Sequence, residues 1–290
     1  MKKFTKIVLI IAAAFLIVGL CLSFVGFITG AGNGISLRDG HLVVNDDNNY
    51  TYEKSDITGI TDINVNVSNS RIELVQSDSK YFTININMKY WNSTPEVTIE
   101  DGKISINASH FSPTFSVSTL MNLFDALEND NVITIGIPND SKLSNITLET
   151  SNGNVTSNVE LETETFDIDT KNGRIDVSNL TCTGEAKLET SNGKIDCEGV
   201  FSEDSEFKTS NGSVILSGTF KGDVDCKTSN GSIDFRANDD VSSYDVSAKT
   251  SNGSVYINNV DYDKSYTQDN NTGRDVILKT SNGKITARFK

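Results

Sequence analysis

The motif Thr-x-Asn-Gly-x-Val/Ile occurs seven times in the second half of the chain, with its asparagines at positions 152, 172, 192, 211, 230, 252 and 282. The steps between them are 20, 20, 19, 19, 22 and 30 residues. One motif at a period near 20 marks a stacked repeat, in which each unit covers the apolar face of its neighbour and none folds alone. Counted from each asparagine, positions −6, −4, +3 and +5 are mainly apolar, as in Phe166, Ile168, Ile175 and Val177. The positions between them are mostly Asp, Glu, Lys, Ser or Thr. That is the period of two expected of half-buried strands on both sides of Asn-Gly.

Two architectures share this pattern. Asn-Gly between alternating strands is a hairpin signal and would give a meander or a propeller. Parallel stacking would give a solenoid with two or three short strands per coil and Asn-Gly at a corner. Hairpins need no identical residues from unit to unit, whereas stacked coils bring like residues together, and stacked asparagines can hydrogen-bond along a ladder. The recurrence therefore predicts an all-β fold, a parallel β-solenoid with coils of ~20 residues. Its structural corners are Asn152-Gly153, Asn172-Gly173, Asn192-Gly193, Asn211-Gly212, Asn230-Gly231, Asn252-Gly253 and Asn282-Gly283. Glycine is expected to supply a positive φ at each corner. The recurring Thr has inward parity, so its methyl should pack while its hydroxyl bonds backbone.

The regular repeats occupy residues 146–290. Residues 31–145 read as a β-rich, irregular N-terminal part of the same solenoid. Segments 35–44 and 97–106 carry Asp39-Gly40 and Asp101-Gly102, each a hairpin or a degenerate corner. Residues 67–72 look like a worn motif with Ser70 in place of Gly. Leu120, Leu123, Phe124 and Leu127 are spaced for a short helix within 116–128, capping an open end or contacting a partner or membrane. The last strand, 285–290, is expected at an edge blunted by Lys284, Arg288 and Lys290.

Residues 1–30 differ in kind. Lys2, Lys3 and Lys6 precede an uncharged run, 7–28, which as a helix would span ~33 Å. This segment reads as one N-terminal transmembrane helix with the rest of the chain outside the cell membrane. A cleaved signal sequence ending near Thr29-Gly30-Ala31 is the alternative. A lipid on Cys21 is disfavoured by the bulk of Leu20. Beyond residue 30 the chain carries 22 basic and 39 acidic residues, a net of −17. That excludes nucleic acid as a partner and disfavours unaided docking on anionic lipid or wall polymer. Cys182, Cys197 and Cys226 are odd in number and spaced for no zinc motif, so they read as core. No metal and no cofactor is expected.

Asp176, Asp196 and Asp234 share position +4 and would form one outward column. Two carboxyls ~5 Å apart are the geometry of a retaining glycosidase. The same position also carries Thr156, Ile215, Tyr256 and Thr286, so a solvated face explains the column as well, and the chain reads as non-enzymatic. His41 and His110 lack the context of a triad. The inward parity of the Thr column argues against an ice-binding array. The long loop 258–275 holds Tyr262 and Tyr266, which are either recognition residues or part of a tolerated surface insertion.

The Thr-Ser-Asn-Gly strand pairs, together with Val132-Ile133-Thr134-Ile135-Gly136-Ile137-Pro138 ahead of them, resemble the bacterial "putative adhesin" family of β-strand repeats over roughly residues 55–290. The resemblance implies a right-handed parallel β-helix on a single-pass or secreted envelope protein, often encoded beside envelope-stress regulators. It brings no catalytic residues. The combined expectation is a membrane-anchored, extracytoplasmic, non-enzymatic binding or scaffold protein. Its partners would be the membrane, through the N-terminal helix, and a cell-wall or protein ligand. An accessory role in envelope stress and a polysaccharide-active enzyme are the alternatives.

Overall fold

A computed structural model describes residues 35–38, 41–44, 49–89, 95–108, 131–139 and 141–290. The expected anchor at 1–30 and the expected helix at 116–128 lie outside the described residues. The chain divides into two units, one of residues 1–49 and 113–128, the other of 50–112 and 129–290. In the first, Ile35–Arg38 and His41–Val44 pair antiparallel, with Ile35 opposite Val44.

The second unit is a stack of coils, seven of them made of two strands joined at an Asn-Gly corner. Ala186–Thr190 and Ile195–Phe201 form one such coil. Each strand pairs in parallel with its counterpart in the next coil, motif residue against motif residue: Thr190 lies beside Thr209, and Ile195 beside Val214. Two parallel sheets result. The alternating apolar residues are buried between them, and one contiguous core runs from Ile57 to Phe289. Phe201 and Phe220 stack at 5.1 Å, Phe220 meets Phe235 at 5.0 Å, and Phe289 and Tyr244 extend the row. Cys182, Cys197 and Cys226 are buried free thiols. Burial pushes the Cys182 thiol up to about 11 and drives Cys197 and Cys226 higher still.

The order of coils in space is not their order in the chain. Numbered along the stack, coil I is 103–108 with 132–137, II is 62–76, III is 145–163, IV is 165–182 and V is 186–201. Coil VI is 205–220, VII is 224–237, VIII is 275–289 and IX is 245–257. The segment 67–72 is therefore a true corner, that of coil II. At the far end the chain leaves coil VII, builds coil IX, and returns to fill the gap between them. This explains the long step from Asn252 to Asn282: the two are spatial neighbours, reached in reverse order. It also corrects the expectation for the last strand. Ile285–Phe289 is flanked by Ile233–Ala237 on one side and Val255–Ile257 on the other, so it is internal rather than an edge.

Antiparallel strands close both ends. Glu96–Glu100 pairs with Lys103–Ala108, and Phe82–Lys89 with Val132–Ile137. The first of these turns at Asp101 and Gly102, with φ of 49° and 76°, the left-handed pair that a tight two-residue hairpin demands. At the other end, segment 258–275 supplies Val260–Asp261 against Val255–Ile257 and Ser265–Gln268 against Asp245–Thr250. A solenoid's open ends invite further strand addition, and a strand of reversed direction interrupts the repeating parallel register there.

Candidate binding groove

The corners stack through three repeated contacts. Each motif Asn donates from Nδ2 to Oδ1 of the Asn in the coil before it. The ladder starts at Asn69 of coil II and runs through Asn152, Asn172, Asn192, Asn211, Asn230 and Asn282 to Asn252, with separations of 2.6–2.9 Å. Each motif Thr donates from Oγ1 to the carbonyl at the preceding glycine position, as Thr190 does to Gly173 at 2.9 Å. Backbone amides of the asparagines bond the preceding coil as well, Asn192 N to Lys171 O at 2.8 Å.

The corner glycines answer to crowding, not to φ. None of Gly153, Gly173, Gly193, Gly212, Gly231, Gly253 and Gly283 has a positive φ, contrary to expectation. Instead, a Cβ on Gly193 would lie 1.8 Å from the carbonyl oxygen of Gly173, and the other corners repeat the collision. The glycine column is a close packing of backbone on backbone. Among the described residues coil II ends the column and carries Ser70 there, with Gly153 packed directly over its carbonyl.

Beside this ladder, on the outer face of the sheet formed by the first strands, lies a groove of about 480 Å³ spanning coils IV to VIII. Its lining comes from positions −3 to −1: Lys208, Lys227 and Lys279, the hydroxyls of Ser191, Ser210, Ser229 and Ser281, and Asp169 and Glu189 at one end. The in-register strands hold these side chains in rows about one strand spacing apart, ~4.8 Å. Lys208 pairs with Glu206 and lies 3.7 Å from Glu189, and Lys227 pairs with Asp225. Lys279 and Lys249 are exposed, follow Ile277 and Ser247 instead of carboxylates, and form no ion pair among the described residues. Nearby, burial raises the Asp167 carboxyl while Lys187 opposes it. Reading sequence position −3 for the sign of its charge would have found this lysine row, since four copies spell Lys-Thr-Ser-Asn-Gly.

The other candidates sit apart from the groove. Tyr262 and Tyr266 meet edge-on at 4.6 Å in the closing segment. Tyr266 lies across from Ala248 and packs on the core, whereas Tyr262 is 40% exposed beside Val260 at 53%. The Asp column is occupied by its own cations. Arg174 reaches Asp176 at 2.7 Å and Asp196 at 3.4 Å, and Lys194 reaches Asp196 at 2.6 Å. Ile215 separates these from Asp234, which pairs with Arg236 and Arg288, each at 2.8 Å. Among the described residues, no three of His, Cys, Asp and Glu converge to hold a metal ion. No helix there is long and apolar enough to cross a membrane.

Residues 60–288 match the model of one protein family, Toastrack DUF4097. Similar solved structures include a "putative adhesin" from Parabacteroides distasonis, at 13% identity over 84% of this chain and 98% of that one, TM-score 0.43. Another "putative adhesin", from Bacteroides fragilis, is 15% identical over 83% and 97% of the two chains, TM-score 0.42. A "putative cell adhesion protein" from Clostridium sporogenes is 14% identical over 83% and 100%, TM-score 0.38. No curated protein matches the chain.

Proposed function

The chain belongs to the Toastrack DUF4097 family, and from that premise we propose that it is a non-enzymatic binding and scaffolding module of the bacterial envelope. The observation that carries the reading is the groove: lysines and serine hydroxyls set in register on a stack whose coils are fastened at every corner. Such a surface is preorganised, so binding orders little beyond the ligand itself. In this reading the apolar run 7–28 anchors the protein in the membrane and the winding is right-handed, the hand of nearly all parallel crossovers. The corner asparagines and glycines are structural, and Tyr262, with Tyr266 behind it, offers a second contact at the closed end.

Retention of the full-length chain on isolated envelope material tests the groove. Lys208→Glu, Lys227→Glu and Lys279→Glu together should abolish retention while circular dichroism stays unchanged. Retention equal to the parent protein would remove the groove from the function. Tyr262→Ala separates the two surfaces, because it leaves the groove intact.

A further inference from the structure

The outward column at position −3 is sorted by sign. Along the stack it reads Glu149, Asp169, Glu189, Lys208, Lys227, Lys279, Lys249, each opposite the next. Five of the six neighbouring pairs are like-charged, and like charges opposite one another on adjacent strands destabilise a sheet. The same seven residues in alternating order would attract at every step. The facing sheet shows no such sorting: its column mixes Thr156, Asp176, Asp196, Ile215, Asp234 and Thr286. Ion pairs along the strand offset the repulsion at Glu189, Lys208 and Lys227, but Glu149, Asp169, Lys279 and Lys249 form none among the described residues, and self-complementarity accounts for an acidic half followed by a basic half.

We propose that this face docks on a second copy of the same chain. A two-fold axis parallel to the strands, set between Glu189 and Lys208, reverses the order of coils and keeps position −3 facing position −3. Lys208 then meets Glu189 of the second copy, Lys227 meets Asp169 and Lys279 meets Glu149, and symmetry makes each pair twice. At position −5 the same operation sets Lys187 against Glu206 of the second copy, with Asp167 and Asp225 the one like-charged meeting. The serine row beside the column is small enough to let the faces approach. Seven strands at ~4.8 Å and five residues at ~3.3 Å give roughly 550 Å² per copy. That is below the ~800 Å² of a standard interface. The association is therefore weak, reversible and salt-sensitive. The net charge of −14 repels at a distance, but screening over ~8 Å at physiological salt leaves the facing columns to decide at contact.

The proposal rests on reading the groove as a binding surface and names its occupant. Two differently tagged full-length copies, kept in detergent, test it by co-capture. The parent protein should capture itself at ~0.15 M salt and lose about tenfold or more at ~1 M, where screening reaches within ~3 Å. An acidic variant, Lys208→Glu with Lys227→Glu and Lys279→Glu, should lose self-capture by about tenfold or more, because every cross-pair at position −3 becomes repulsive. A basic variant, Glu149→Lys with Asp169→Lys and Glu189→Lys, should lose it equally. Mixed together, the two variants should capture each other to within about threefold of the parent, since every position −3 pair is again of opposite sign. Should a reversed variant misfold, Lys208→Gln with Lys279→Gln serves in its place and should weaken self-capture by about threefold or more. The proposal is overturned by a parent protein that does not self-capture, by folded variants that self-capture like the parent, or by a mixture that stays apart. If self-capture is absent yet the acidic variant loses retention on envelope material, the occupant is wrong and the groove stands.

Discussion

Replacing Gly193 by Ala tests whether coil spacing at the corners is set by backbone contact. The added Cβ would sit 1.8 Å from the Gly173 oxygen and 2.6 Å from its carbon. Both are main-chain atoms held in the ladder, so no side chain can swing aside. Restoring an ordinary carbon–oxygen separation of ~3.3 Å means opening coils IV and V by roughly 1.5 Å at the corner. The three shortest hydrogen bonds that cross there are Asn192 Nδ2 to Asn172 at 2.7 Å, Asn192 N to Lys171 at 2.8 Å, and Thr190 Oγ1 to Gly173 at 2.9 Å. At about 1 kcal/mol each, their loss costs about 3 kcal/mol. In a domain of this size that lowers the melting temperature by roughly 6–12 °C. Thermal and urea unfolding, followed by circular dichroism, measure it. Gly273→Ala is the control: nothing lies within 4 Å of its Cβ, and only its φ of +67° opposes the change, so the cost should be about 1 kcal/mol. If Gly193→Ala costs no more than Gly273→Ala, crowding is not what the corner glycines answer to.

Phe220→Ala removes the ring between Phe201 and Phe235 and should cost about 3–5 kcal/mol in the same unfolding assay. Cys182, Cys197 and Cys226 should stay unreactive toward a thiol reagent at pH 8 until denaturant is added, because burial raises all three thiols. Asp245 is desolvated, but amides of Asn270, Thr272 and Gly273 and the Thr272 hydroxyl outweigh this and hold its carboxyl below the usual range. Its contribution is therefore present above the unfolded value of ~3.9 and fades as pH falls through the folded one. Asp245→Asn should lower the melting temperature at pH 7, by an amount that shrinks as the pH is taken below ~3.9. Amide exchange at 270–273 should accelerate in the parent protein over the same acid range.

Period and parity carried the strand pairs, the inward columns and the corner sites into plain view, because identical residues recur only where coils touch. Coil II was half visible, with Ser70 hiding the glycine position. The interleaving at the ends was not visible, since a step of 30 residues reads equally as an insertion and as a detour. Glycine is required at the corners for a different reason than φ: a corner of this shape keeps ordinary φ and is limited by the carbonyl below it. The meaning of the lysine row is not legible in the sequence, because charged residues at outward positions satisfy any solvated face, and their order acquires meaning only once the coils are placed side by side.

Placing residues 275–289 between coils VII and IX gives the fold a keystone that arrives late in synthesis. A ribosome delivers the outermost layer first and the layer beneath it afterwards. A chain severed before residue 275 would still possess its closing hairpins, yet lack the seat on which they rest. Proteases that trim frayed strands would meet an unsealed end in every such fragment and a sealed one only after the keystone has slid home.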